Sequence, residues 1–174
     1  VSVNAALEPI VPAGLIDLLD GYERRLTTLA IPFAAVYRDF RQLEARRFDA
    51  EGPGWTPLAP STVANRARAG VGPSPILEVT KRLRASLTET GANDAVLRDE
   101  GDSLFMGSKV PYAHWHQTGG STAGRPPARP EVVITEADSV RWALIVARYL
   151  TGTGPVTGGV ATALPGIGAG PSGL

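Results

Sequence analysis

The chain has 174 residues, 17 Lys plus Arg against 17 Asp plus Glu, and a formal net charge of zero. That length suits one packed domain with extensions, and the charge balance excludes a whole-molecule field drawing it to nucleic acid or anionic membrane. The absence of cysteine excludes disulfides, thiolate zinc sites and a cysteine nucleophile, and fits a reducing compartment.

No apolar run approaches the roughly 20 residues needed to cross a bilayer, and the N-terminus lacks a basic-then-apolar signal pattern. Residues 1–12 carry two prolines and read as an arm. From Gly14 the apolar residues fall at helical spacing: Leu15, Leu18, Leu19, Tyr22, Leu26 and Leu29, with most charges opposite. Phe33, Val36, Tyr37, Phe40 and Leu43 resume that period, placing Arg38, Arg41, Glu44 and Arg46 outside. Pro32 fits the first turn of a second helix, where its missing N–H costs nothing, or a kink in one long helix. The run Gly52-Pro53-Gly54 stops it.

After Trp55-Thr56-Pro57-Leu58, Pro60 suits the first position of a short helix reaching about Ala69 and ended by Gly70. Thr80 is the expected cap of another helix, with Leu83 and Leu87 on one face and Gly91 closing it. Ala95–Arg98 and Ser103–Met106 flank Asp99-Glu100-Gly101-Asp102, the pattern of a β-hairpin. Glu131–Thr135 is a third strand candidate. Ala137–Leu150 is the closing helix, capped by Thr135 or Asp138, with Val140, Leu144, Ile145 and Ala147 as its inner face. The expected fold is therefore α+β: an N-terminal helical pair, a small antiparallel sheet and a closing helix over residues 13–150. Residues 151–174 contain no ionisable side chain and are rich in Gly and Pro. Such an extension cannot order itself alone, so neighbouring chains would hold it.

The stretch Gly107–Pro130, GSKVPYAHWHQTGGSTAGRPPARP, holds both histidines, a Gly-Gly pair and two Arg-Pro steps. So much Gly and Pro predicts a shaped loop with short ordered inserts. His114 and His116 share a face if the segment is extended, and a metal hydrolase site is one reading. A functional zinc site needs three or four ligands, and no nearby carboxylate completes this one. The other reading is imidazoles bonded to backbone at a crowded turn or subunit contact. A Ser–His–acid triad from Ser108, Thr118, Ser121 or Thr122 lacks the strand–turn–helix setting of an activated serine. Asp99, Glu100 and Asp102 sit at a hairpin tip, where acidic residues are ordinary turn formers.

Arg125 and Arg129, each followed by proline, resemble minor-groove arms, so a DNA-contacting channel protein is an alternative. The missing basic excess favours instead a rigid edge from which each arginine reaches a partner carboxylate. Gly119-Gly120 is no phosphate loop, since no GK[ST] follows. Trp55 reads as a core or interface anchor. No catalytic constellation, metal site or cofactor site is assigned. The candidate interface residues are Trp55, Tyr112, His114, His116, Gln117, Arg125 and Arg129.

Four pieces in order carry a family resemblance. They are Phe48-Asp49-Ala50-Glu51-Gly52 with Trp55, Pro57-Leu58 and Ser61-Thr62; Ile76-Leu77-Glu78 with Thr80, Leu83 and Ser86-Leu87; Gly107-Ser108 with Tyr112-Ala113; and His116-Gln117-Thr118-Gly119 with Pro127-Ala128-Arg129-Pro130. Together they resemble the phage virion morphogenesis family, the Mu G-like tail-completion proteins and their siphophage neck relatives, over about Leu26–Leu150. Ala59 stands where a capping Ser is common, the loop Ser121–Pro126 looks expanded, and the tail has no counterpart. The resemblance implies a non-enzymatic structural protein of a tailed phage, assembled in the bacterial cytoplasm. It implies a ring, commonly of six copies, at the head–tail joint or tail top, contacting neck, connector, tail-tube or terminator proteins, with genomic DNA in the channel as a further partner. A minor capsid or tail-tip component is the alternative within that class.

Overall fold

The computed structural model describes residues 12–52, 54–72, 75–120 and 125–153. The N-terminal arm, residues 121–124 and the extension from 154 lie outside them, and so does the expectation that neighbours order the tail. In chain order the elements are α1 (Ala13–Leu26), α2 (Ala30–Asp49), α3 (Pro60–Arg68), α4 (Arg82–Thr88), β1 (Ala95–Asp99), β2 (Leu104–Ser108), α5 (Ala113–Thr118) and α6 (Glu136–Thr151). The class is α+β, with the expected helical pair, hairpin and closing helix.

Local chemistry explains most boundaries. Pro32 lies in the first turn of α2, buried, so the chain makes two helices and not one kinked helix. Pro60 opens α3, and Gly70, at φ 71°, ends it as Val71 N–H donates back to Arg66 O at 2.8 Å. Thr135 and Asp138 form a reciprocal capping box at α6, and Gly152 closes that helix in the left-handed region. β1 and β2 pair antiparallel from Ala95 opposite Ser108 to Asp99 opposite Leu104, around a turn with Gly101 at φ 90°.

α2 is the spine. It packs on both α4 and α6, and its residues Tyr37, Phe40 and Phe48 join Trp55, Leu83, Leu87, Val110 and Ala113 in the core. Packing on two sides widens the buried stripe, and this corrects one expectation. Glu44, assigned to the outer face, is 0% exposed, sharing a face with Phe40 and Phe48 at four-residue spacing. Asp39 ties α2 to α6: Arg141 Nε and Nη2 donate to its Oδ2 at 2.9 and 2.7 Å, and Trp142 Nε1 donates at 2.7 Å. Burial opposes the Asp39 charge, but the bonds from Arg141 and Trp142 outweigh it and hold the carboxyl below its ordinary range.

Three further expectations differ. Glu131–Thr135 is not a strand, because side chains take up its backbone groups: Gln117 clasps Val132, and Arg47 Nη2 donates to Val133 O at 2.7 Å. The inner face of α6 is rotated. Trp142, Ile145 and Val146 are half-buried, whereas Val140, Leu144 and Ala147 are exposed. Thr80 does not immediately precede its helix. Lys81 does, at φ 56°, while the Thr80 hydroxyl accepts from Arg82 N–H at a long 3.4 Å.

Candidate functional site: a clasp of loops beside a basic cavity

The Gly107–Pro130 stretch carries the short ordered inserts expected of it, the end of β2 and the helix α5. Val110–Gln117 packs onto the core through Val110 and Ala113, and that contact supports the helical segment α5 inside a Gly- and Pro-rich run. Helical geometry separates the histidines. Two positions apart on a helix, they point about 200° from each other, so the shared face of an extended segment does not exist. His114 is exposed beside the Trp115 ring; His116 is half-buried, edge-on to Tyr112. Among the described residues no group of three or more His, Asp and Glu side chains is arranged to hold a metal.

Six of the seven candidate interface residues fall into two groups, and half-buried His116 lies between them. Trp55, Gln117 and Arg129 face their own chain. Trp55 stacks edge-on to Phe48 with ring centroids 5.6 Å apart, and its Nε1 donates to Pro130 O at 2.9 Å. Arg129 answers in the opposite direction, with Nε donating to Thr56 O at 2.7 Å and Nη2 to Pro57 O at 3.0 Å. Gln117 Nε2 donates to Val132 O at 2.7 Å, and its Oε1 accepts from Val132 N–H at 3.1 Å. Arg129 N–H reaches His116 O at 2.7 Å. The segments Trp55-Thr56-Pro57, His116-Gln117 and Arg129-Pro130 thus form one clasp, which is the physical reason they occur together. Tyr112, His114 and Arg125 remain at the surface, Arg125 with its guanidinium 3.5 Å from the centre of the Trp115 ring. The rigid edge from which Arg125 and Arg129 were each expected to reach outward therefore lacks Arg129, which is 5% exposed.

Glycine makes the clasp possible at two points. Gly52 has φ 59°, and a Cβ there would fall inside the Trp55 indole ring. Gly119 has φ 71°, and a Cβ would come 2.8 Å from Ala128 N. A second junction joins the remaining pieces. Ser86 and Ser108 share a hydrogen bond of 2.7 Å, and Ser108 Oγ accepts from Val110 N–H at 3.1 Å. Beside them Arg84 bridges buried Glu78 at 2.8 Å and exposed Asp49 at 2.5 Å.

Buried charge surrounds the clasp. Burial lowers the His116 imidazole, and the nearby Arg129 lowers it further, so it is neutral near pH 7. Glu131 and Glu44 are each pushed up by burial to about 7. Arg47 Nε lies 3.4 Å from Glu44 Oε2, near enough for attraction but not directed as a hydrogen bond, and neither Glu44 oxygen has a hydrogen-bond partner among the described residues. Beside His116 and Arg129 a cavity of about 970 Å³ opens between residues 56–66, residues 77–82, residues 112–116 and residues 125–129.

One surface was missed from sequence. Leu15, Leu18, Leu19 and Leu26, which fall at helical spacing along α1, are exposed together with Ile16, Leu19 by 56% and Leu26 by 58%. With Val140 and Leu144 of α6 they leave two helices with apolar faces open to solvent. The α1 signal lay in its pattern, but spacing cannot say whether the chain itself covers a stripe.

No curated protein and no solved structure matches the chain. The family model described as the phage virion morphogenesis family matches residues 14–155, from α1 through the end of α6. That span takes in the clasp and the core beneath it, and the chain belongs to the phage virion morphogenesis family.

Proposed function

We propose that this protein is a non-catalytic structural component of a tailed-phage virion. It forms a ring, of six copies on the family pattern, at the neck or tail top, where it completes the tail and joins it to the head. The observation that carries this reading is the pair of open apolar faces on α1 and α6. Exposed aliphatic area of that extent stabilises association once a second surface covers it, at about 25 cal/mol per Å² removed from water. The buried clasp supports a binding role, because it spends its polar groups on holding shape. Recessed Arg129 and ring-stacked Arg125 argue against a DNA-reading arm.

The test is genetic and structural. A phage lacking this chain should accumulate filled heads and separate tails, and an electron-microscopic reconstruction of the virion should show the chain at their junction. Joined, infectious particles made without it would overturn the proposal.

A further inference from the structure

The cavity beside the clasp has charge of one sign. Arg66, Arg82, Arg125 and Arg129 line it beside the neutral His116, and among the described residues no Asp or Glu does. Two of the arginines have partners: Arg82 forks onto Asp94 at 2.6 and 2.9 Å, and Arg125 lies on Trp115. Arg66 and Arg129 differ. They are 7% and 5% exposed, and neither forms an ion pair among the described residues. Arg66 Nη2 donates to Pro75 O at 3.1 Å, while its buried Nε has no partner. Arg129 donates only to carbonyls.

Withdrawing a cation from water is unfavourable unless a counter-charge approaches. Two recessed guanidiniums on one cavity, with no carboxylate among the described residues that line it, leave that counter-charge to be supplied by a partner. The remaining wall selects the kind of anion. Pro57, Leu58, Leu77, Val79, Pro126 and Pro127 make it largely apolar. A phosphodiester strand needs exposed cations along a wet groove. An extended peptide with one carboxylate among apolar side chains satisfies both the wall and the recessed charges, and Arg forks match carboxylate geometry.

We propose that this cavity is a docking site for an acidic–apolar peptide segment of a partner protein, whose Asp or Glu carboxylate pairs with Arg66 and Arg129. The neck reading bears only on which protein supplies the segment, so the site stands or falls separately from it.

The experiment pans a random heptapeptide library, displayed on yeast, against the full chain, then measures synthetic versions of the enriched peptides by fluorescence anisotropy. Enriched peptides should share one Asp or Glu flanked by apolar residues. Changing that acid to its amide should weaken binding at least tenfold, as should Arg66→Gln. Thr62→Glu covers the case in which Arg66→Gln fails to fold. Thr62 lines the cavity one helical turn before Arg66, is exposed, and would set an internal carboxylate beside it at favourable i, i+4 spacing. Thr62→Glu should keep the melting temperature and lose peptide binding, while Thr62→Gln keeps both. No enrichment, enriched peptides without an acid, or unchanged binding to Thr62→Glu would each refute the site. So would displacement of the peptide by inorganic phosphate or oligothymidylate at equal or lower concentration, which would show an anion site of another kind.

Discussion

Glu44→Gln should make the protein more stable at pH 8 and leave it little changed at pH 5. Glu44 is fully buried, and its carboxyl is raised from the ordinary 4.5 to about 7 by burial, with the charges of Glu131 and Asp138 adding to the effect and Arg47 opposing it. A raised carboxyl binds its proton more tightly in the folded state. Its favourable contribution is complete below the ordinary value, shrinks as pH rises through about 7, and is gone above that. A rise of this size corresponds to a loss on the order of 3 kcal/mol between pH 4.5 and pH 8. Glu131, also raised to about 7, acts in the same direction. Asp138 acts oppositely: Thr135 hydrogen bonds push it down to about 2, so its contribution is lost only as pH falls towards that value. Urea denaturation at pH 5, 6, 7 and 8 should show stability falling with pH in the native chain. In Glu44→Gln the fall should be smaller by about 2–3 kcal/mol. A native chain whose stability rises from pH 5 to 8, or a Glu44→Gln variant with an unchanged slope, would refute the assignment of Glu44 as a buried, weakly compensated acid.

Further outcomes follow from the clasp and the open faces. Gly52→Ala sets a methyl inside the Trp55 ring at a positive φ, so it should cost at least about 3 kcal/mol and lower the melting temperature by 10 °C or more. Arg129→Lys keeps the charge but cannot span two carbonyls as the fork does, and should cost about 1–3 kcal/mol with a changed near-ultraviolet signal from Trp55. Leu15→Lys with Leu19→Lys should shift monomer stability by no more than about 0.5 kcal/mol, because both sites are exposed. The same pair should abolish self-association measured by sedimentation velocity. Asp39→Asn removes the charge gripped by Arg141 and should lower stability by about 1–3 kcal/mol at pH 7.

The parts of the fold legible in sequence are those fixed by local chemistry. Pro60 and Gly70 bound α3, Thr135 and Asp138 cap α6, and Asp99–Asp102 turn the hairpin, each through backbone geometry that neighbours dictate. What escaped depends on contacts distant in the chain. α5 is a short helix held by burial of Val110 and Ala113, which composition cannot reveal. Glu44 follows a helical period among charged neighbours, and only packing of α2 on two sides draws it inward. Arg129 has the same sequence surroundings whether it reaches outward or back to Thr56 and Pro57. The residues of the clasp were visible as recurrent motifs. That they bind one another was not.

The clasp also bears on the chain between its fixed points. Arg129 N–H bonds to His116 O at 2.7 Å and Gly120 N–H to Pro126 O at 3.3 Å, so the segment from 120 to 126 leaves and re-enters the fold at adjacent anchors. With its ends pinned by these two bonds, a change in its length acts on stability mainly through loop closure. Loop-closure entropy grows only logarithmically, and ten added residues would cost about 0.9 kcal/mol. The segment between Gly120 and Pro126 is thus thermodynamically cheap to vary. It is the place where a tag or a new recognition sequence can be grafted while the clasp beneath keeps its form.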